Sequence, residues 1–269
     1  MIVDFRPDPS SGRELREAAA RLRDGGAGVL IGEHLDDVTS HRPSVIAAAV
    51  AETGLRVIST LTCRDRTAAQ ARAELEDLAA LPLVAVHCVT GDHPAARFRA
   101  DTTAEFSLDS IELIGVAAAH DAAISVAESP AAAPTSWRPQ RLLDKQRAGA
   151  SMAILNHGGN FEAMIEFADR CHDRGVVIPL IAPVPVITDH RSAEVLARFP
   201  GLVLPSHLSE HILAASNPEE AGVAAAVAIA QRLLDSRRFA AVNLSGSAAA
   251  GGVLARSRIM ARVAARIDR

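Results

Sequence analysis

Aromatic side chains are scarce in this chain. Phenylalanine, tryptophan and tyrosine make up 3 % of its 269 residues, tyrosine is absent and Trp137 is the sole tryptophan. Since 49 % of the residues are still apolar, the core must be built from aliphatic side chains and alanine. Lysine is almost missing too: Lys145 stands alone among 28 basic residues. Cys63, Cys88 and Cys171 are few, odd in number and without a CxxC spacing, which excludes a disulfide scaffold or a zinc site and points to a reducing cytoplasm. A formal charge of −4 leaves no basic footprint for nucleic acid. No apolar run approaches the roughly 20 residues a membrane span needs, and Met1-Ile2-Val3-Asp4-Phe5-Arg6 is not a secretory signal. A GxGxxG turn, a GxSxG elbow and an HxxxH pair are all missing, which argues against a Rossmann dinucleotide site, a serine hydrolase and a histidine metal centre.

What is present is a cadence. Strand-like runs fall at Ile2–Phe5, Gly28–Gly32, Arg56–Thr62, Leu83–Val89, Ala122–Ala127, Ser151–Leu155, Val176–Ile181 and Phe239–Leu244. Between them, apolar residues spaced by three and four predict helices at Arg13–Leu22, Ser44–Ala51, Ala68–Ala80, Ser107–Ala119, Gln140–Ala148, Phe161–His172 and Ala221–Leu234, with a last one at Val253–Ile267. Gly25-Gly26, Gly54, Gly149 and Gly175 sit where helices should stop. Eight βα units in about 250 residues predict one (β/α)₈ TIM barrel spanning residues 1–269, ahead of a doubly wound sheet. The stretch 183–238 is too long for one crossover and predicts extra helices between strands seven and eight, one near Leu208–Ala215.

In such a barrel the strand C-termini carry the site. Two strands end in matching polar motifs, Leu61-Thr62-Cys63-Arg64-Asp65-Arg66 and Val89-Thr90-Gly91-Asp92-His93-Pro94. The same face collects Asp4, Arg6, Glu33, His34, Glu128, Asn156, His157, Asn243 and Ser245. Several carboxylates at one mouth suit proton transfer or stabilisation of a cation. Asp4, between apolar neighbours on strand one, favours function, because a buried Asp is rare unless paired or used. Asp65 reads equally as a site residue or as a cap of the next helix, and Arg64 as half of a rim ion pair. The run His157-Gly158-Gly159-Asn160 offers backbone a ligand can approach and an Asn able to cap the following helix. A lone helical Lys145 is ordinarily a solvated group. The Pro- and Ala-rich segment 128–139 reads as an active-site loop.

The run Thr60-Leu61-Thr62-Cys63-Arg64-Asp65-Arg66, the Val89-Thr90-Gly91-Asp92 turn, the stretch 145–156 and Asp169-Arg170-Cys171 resemble methylenetetrahydrofolate reductase, in order and over most of the chain. The resemblance implies an oxidoreductase that takes 5,10-methylenetetrahydrofolate to 5-methyltetrahydrofolate, with FAD at the strand C-termini and NAD(P)H as electron donor, in one-carbon metabolism that feeds methionine synthesis. It implies Asp4 and Asp92 as catalytic residues. Thr60, Thr90, Gly91, Asp92 and Lys145 would then contact the cofactor, and Glu33, Glu128, Asn156 and His157 the folate-type substrate. Nothing in it calls for a metal, a nucleic acid or a membrane, and a homo-oligomer is left open. The sequence departs from the pattern at particular places. Thr60 replaces a His, Asp4 a Glu and Asn156 a Gln, His157-Gly158-Gly159 replaces an aromatic run, and Ser129-Pro130-Ala131-Ala132-Ala133 lacks the Tyr and His expected near flavin. FAD binding is therefore expected to be weak or absent. The alternatives are a relative recruited to another folate or imine reaction and a non-catalytic folate- or partner-binding homologue.

Overall fold

A computed structural model describes residues 1–8, 11–33, 41–93, 104–120, 122–199, 202–246 and 248–267. Eight parallel strands close a barrel in sequential order: β1 (Ile2–Phe5), β2 (Gly28–Ile31), β3 (Val57–Thr62), β4 (Ala85–Val89), β5 (Ile124–Glu128), β6 (Met152–Leu155), β7 (Leu180–Pro185) and β8 (Ala241–Ser245). This is the (β/α)₈ architecture the cadence predicts. The seam is short, with β1 meeting β8 only at Ile2↔Asn243 and Val3↔Leu244.

The outer ring is α1 (Gly12–Asp24), α2 (Pro43–Ala51), α3 (Ala68–Ala79), α4 (Ser110–Ala117), α5 (Arg138–Ala148) and α6 (Phe161–Asp173). It continues through α7 (His190–Ala197), α8 (Leu208–Leu213), α9 (Pro218–Asp235) and α10 (Gly252–Arg266). Spacing decides the buried faces; α1 turns Leu15, Ala18, Ala19 and Leu22 inward. Local chemistry fixes the starts. Thr67 with Gln70 and Asp109 with Glu112 form reciprocal capping boxes, and the Asn160 side chain accepts from Ala163 N–H. Gly54, Gly149 and Gly175 follow their helices at φ of +79°, +124° and +90°, a region closed to most side chains.

Two layers fill the barrel. An apolar plug of Ile2, Ile58, Ala85, Ile154 and Ile181 seals the N-terminal half, with Leu30, Met152 and Ala241 packed on it. One pleat higher the inward residues include Asp4, Thr60, His87 and Asn243, all lining a cavity. The site therefore begins where the plug ends.

Two expectations need correction. Strand seven runs Leu180–Pro185, not Val176–Ile181: Val176 N–H closes the end of α6 on Cys171 O, and Val177 is 80 % exposed. Pro183 and Pro185 look like strand breakers, yet pairing with β6 ends at Ile181 and they lie beside β8 alone, where fewer donors are needed. Asp65 does not cap α3, whose cap is Thr67. It adopts φ +56° and pins Glu105 through both its carboxylate and its N–H.

Candidate active site

The cavity opens at the strand C-termini and encloses about 380 Å³. Asp4, Glu33, Thr60, Thr90, Gly91, Asp92, Glu128, Lys145, Asn156 and His157 all line it, whereas Arg6 and Asp65 do not. His34 and Pro94 lie outside the described residues. The surroundings of the lining residues differ sharply.

Asp4 crosses the barrel seam. Its Oδ1 accepts from Asn243 Nδ2 at 2.9 Å and its Oδ2 from Gly246 N–H at 3.0 Å. Burial pushes the carboxyl above the ordinary Asp range; these two bonds and the Arg256 guanidinium behind them pull the other way without reversing it. The remaining Asn243 amide oxygen is buried without a partner. A carboxyl able to hold a proton thus sits beside an unmet acceptor.

Asp92 is carried by the Thr90-Gly91-Asp92 turn after β4. Gly91 has φ +88°, and a Cβ there would stand 3.0 Å from Thr62 Cβ and 3.2 Å from an Arg64 nitrogen, so only glycine lets the turn pack on β3. Arg64 is buried at the rim, 3.7 Å from the Asp65 carboxylate and donating to Asp92 O.

Glu33 and Glu128 are already engaged. Glu33 accepts from Thr62 N–H and Oγ1 at 2.9 Å each and pairs with Arg66 at 2.6 Å, tying β2 to β3. Glu128 meets Lys145 Nζ at 2.9 Å, Arg138 at 3.4 Å and Arg141 at 3.6 Å. Lys145 is no solvated group: it is 3 % exposed, also donates to Ala127 O, and burial lowers its pKa against the raising effect of Glu128.

Asn156 donates to Ser129 Oγ at 2.8 Å. His157 is buried, its Nε2 has no partner, and burial lowers its pKa to about 4, so its ring is neutral near pH 7. The glycines after it do not admit a ligand as expected. A Cβ on Gly158 would fall 2.8 Å from Pro130, and Gly159 N–H is used by Val203 O, so the chain itself makes the close approach.

Two groups escaped the sequence reading. His87 lies beside Thr60 in the β3–β4 register, with Nδ1 2.9 Å from Ser125 Oγ. Burial lowers its pKa to about 3. An imidazole is thus supplied one strand away from the Thr60 position. The signal was legible: two residues beyond inward Ala85, His87 must face inward as well. Arg256 of α10 is buried and donates to Gly246 O, Val186 O and Ser245 O, propping the loop that holds Asp4. Sequence offered no sign that this arginine, among so many, turns inward.

Residues 8–249 match the pattern of the family described as methylenetetrahydrofolate reductase. The chain belongs to that family. It is 24 % identical over 219 residues to a probable methylenetetrahydrofolate reductase (NADPH) of Caenorhabditis elegans, covering 78 % of this chain. It spans only about a third (33 %) of that relative's length. An uncharacterized protein from Clostridium thermocellum, solved with two copies of 5-methyl-5,6,7,8-tetrahydrofolic acid, shares the fold at a TM-score of 0.67 with 12 % identity, over 97 % of this chain and 93 % of that one. The barrel of a 2,3-dimethylmalate lyase follows at 0.52 and 13 %, over 91 % and 75 %. Among the described residues no helix is long and apolar enough to cross a membrane, and no cluster of potential ligands could hold a metal.

Proposed function

We propose that the chain reduces a 5,10-methylene-bridged tetrahydrofolate to the 5-methyl form at the expense of NAD(P)H, with Asp4 and Asp92 as catalytic residues. The observation that carries this reading is that Asp4, biased by burial toward its protonated form, lines the same cavity as Asp92. Asp4 donates its proton to the side-chain nitrogen as that nitrogen leaves the methylene carbon, so the bridge opens to an iminium on the ring nitrogen. Asp92 faces that cation as a fixed negative charge and lowers its energy. Hydride from the reduced nicotinamide then adds to the methylene carbon, giving the methyl group and oxidised nicotinamide. Asn243 Oδ1 accepts a pterin N–H, and Asn156, Thr90 and His157 orient the ring.

A resident FAD does not suit this donor set. The one lysine of the implied cofactor segment already serves Glu128 and Ala127. The test is to incubate purified protein with methylenetetrahydrofolate and NADH or NADPH and follow formation of the methyl product. Methyl product formed without added flavin supports the reading; saturable folate binding with no product would replace it with a binding role.

A further inference from the structure

Glu128 is the carboxylate that three cations surround: Lys145 at 2.9 Å, Arg138 at 3.4 Å and Arg141 at 3.6 Å. It is 1 % exposed, and Lys145 is 3 % exposed. The cluster carries more positive charge than one carboxylate balances, and Arg141, which also reaches Ser110 Oγ at 3.4 Å, lines the cavity with Glu128 and Lys145. One ammonium and two guanidinium groups around one point form a donor set that recognises a phosphate. Here the point is filled by the chain's own side chain, projected from the last residue of β5.

We infer that Glu128 is a tethered anion occupying a phosphate seat, and that it acts as a specificity residue by denying that seat to the phosphates of a resident flavin dinucleotide. A free phosphate entering the seat would bring a second negative group against Glu128 in a place closed to water. The carboxylate therefore competes intramolecularly, always at its site, against any dissolved anion. This also gives the lone lysine a role: it holds the tether. The inference stands on the geometry of the cluster and is independent of the folate reading.

The test is Glu128→Ala, which empties the seat, titrated with inorganic pyrophosphate. Trp137, the chain's only tryptophan, reports binding, because its ring lies 5.9 Å from the Arg141 guanidinium carbon and is partly exposed. Pyrophosphate should bind the variant about tenfold or more tightly than wild type, the scale of one charge-assisted contact, and adding Lys145→Ala should erase the gain. Equal affinity in wild type and Glu128→Ala overturns the inference, as does wild-type protein that retains flavin stoichiometrically with Glu128 in place. If Glu128→Ala does not fold alone, refolding is repeated with pyrophosphate present. Recovery of the native melting transition then supports the seat, and failure to recover it shows that the carboxylate is a structural partner no anion replaces.

Discussion

Two carboxylates, one buried and one half-buried, face one cavity and are handled in opposite ways. Glu128, at the end of β5, is ringed by Lys145, Arg138 and Arg141, whereas Asp4, on β1, is held by an amide and a backbone N–H. Charged partners fix the place of one carboxylate; desolvation among neutral donors raises the pKa of the other. The same functional group thus becomes a fixed counter-ion on one wall and a candidate acid on the other. The chain sets these roles through neighbours, not through the identity of the acid.

The largest effect that would break this comparison is Asp4→Asn. Turnover should fall by about 10²–10⁴-fold, the usual weight of a general acid, with the fold intact. Its melting temperature should shift with pH in a defined direction. The folded pKa of Asp4 is raised, so wild type loses stability as pH rises from the ordinary value of 3.8 through the folded one, while the Asn variant does not. Asp4→Asn should therefore melt higher than wild type at neutral pH and lose that advantage in acid. A variant that melts early and stays fully active would make Asp4 structural.

Next in size is Arg256→Ala. It strips a donor from three carbonyls beneath the Asp4 loop, of which Ser245 O keeps Val186 N–H, and denaturant titration should show a loss of about 3 kcal/mol, as for buried groups left unpaired. If the comparison holds, turnover of the surviving folded enzyme also drops, because Gly246 no longer holds Asp4 in register.

Gly91→Ala follows. Forcing a side chain into φ +88° against Thr62 should cost about 1–2 kcal/mol in the same titration and displace Asp92, lowering turnover more than stability. Normal turnover would separate the turn from the chemistry.

The smallest effect is a slope. His87 and His157 have pKa values lowered to about 3 and about 4 from 6.5, so the unfolded chain binds more protons between those limits. Stability is complete above about pH 6.5 and is lost as pH falls toward 4 and below. His157→Gln should flatten part of that acid slope in melting curves taken across the window; an unchanged slope would mean the ring is hydrated.

The barrel was legible because alternation of β-branched runs with helical spacing is a local property, and the strand tips followed from it. Glu128 and Lys145 were each singled out, yet their pairing was invisible: it depends on α5 turning one face under the end of β5, a tertiary fact. The Val176 run misled because apolar residues that finish a helix look like those that start a strand. Pro183 and Pro185 hid β7 because their tolerance depends on where β6 stops pairing. Gly158 looked open to a ligand, and only the path of Pro130 shows that it is filled.

Asp4 and its partners Asn243 and Gly246 lie 239 and 242 positions apart, across a seam of two residue pairs. During synthesis the first strand emerges long before the last, so its carboxyl waits among solvent until β8 arrives. The acid acquires its character in the closing event of folding. A chain lacking β8 is thereby inert at this position, and any ligand that bridges Asp4 and Asn243 acts as a clasp, slowing hydrogen exchange most in β1 and β8.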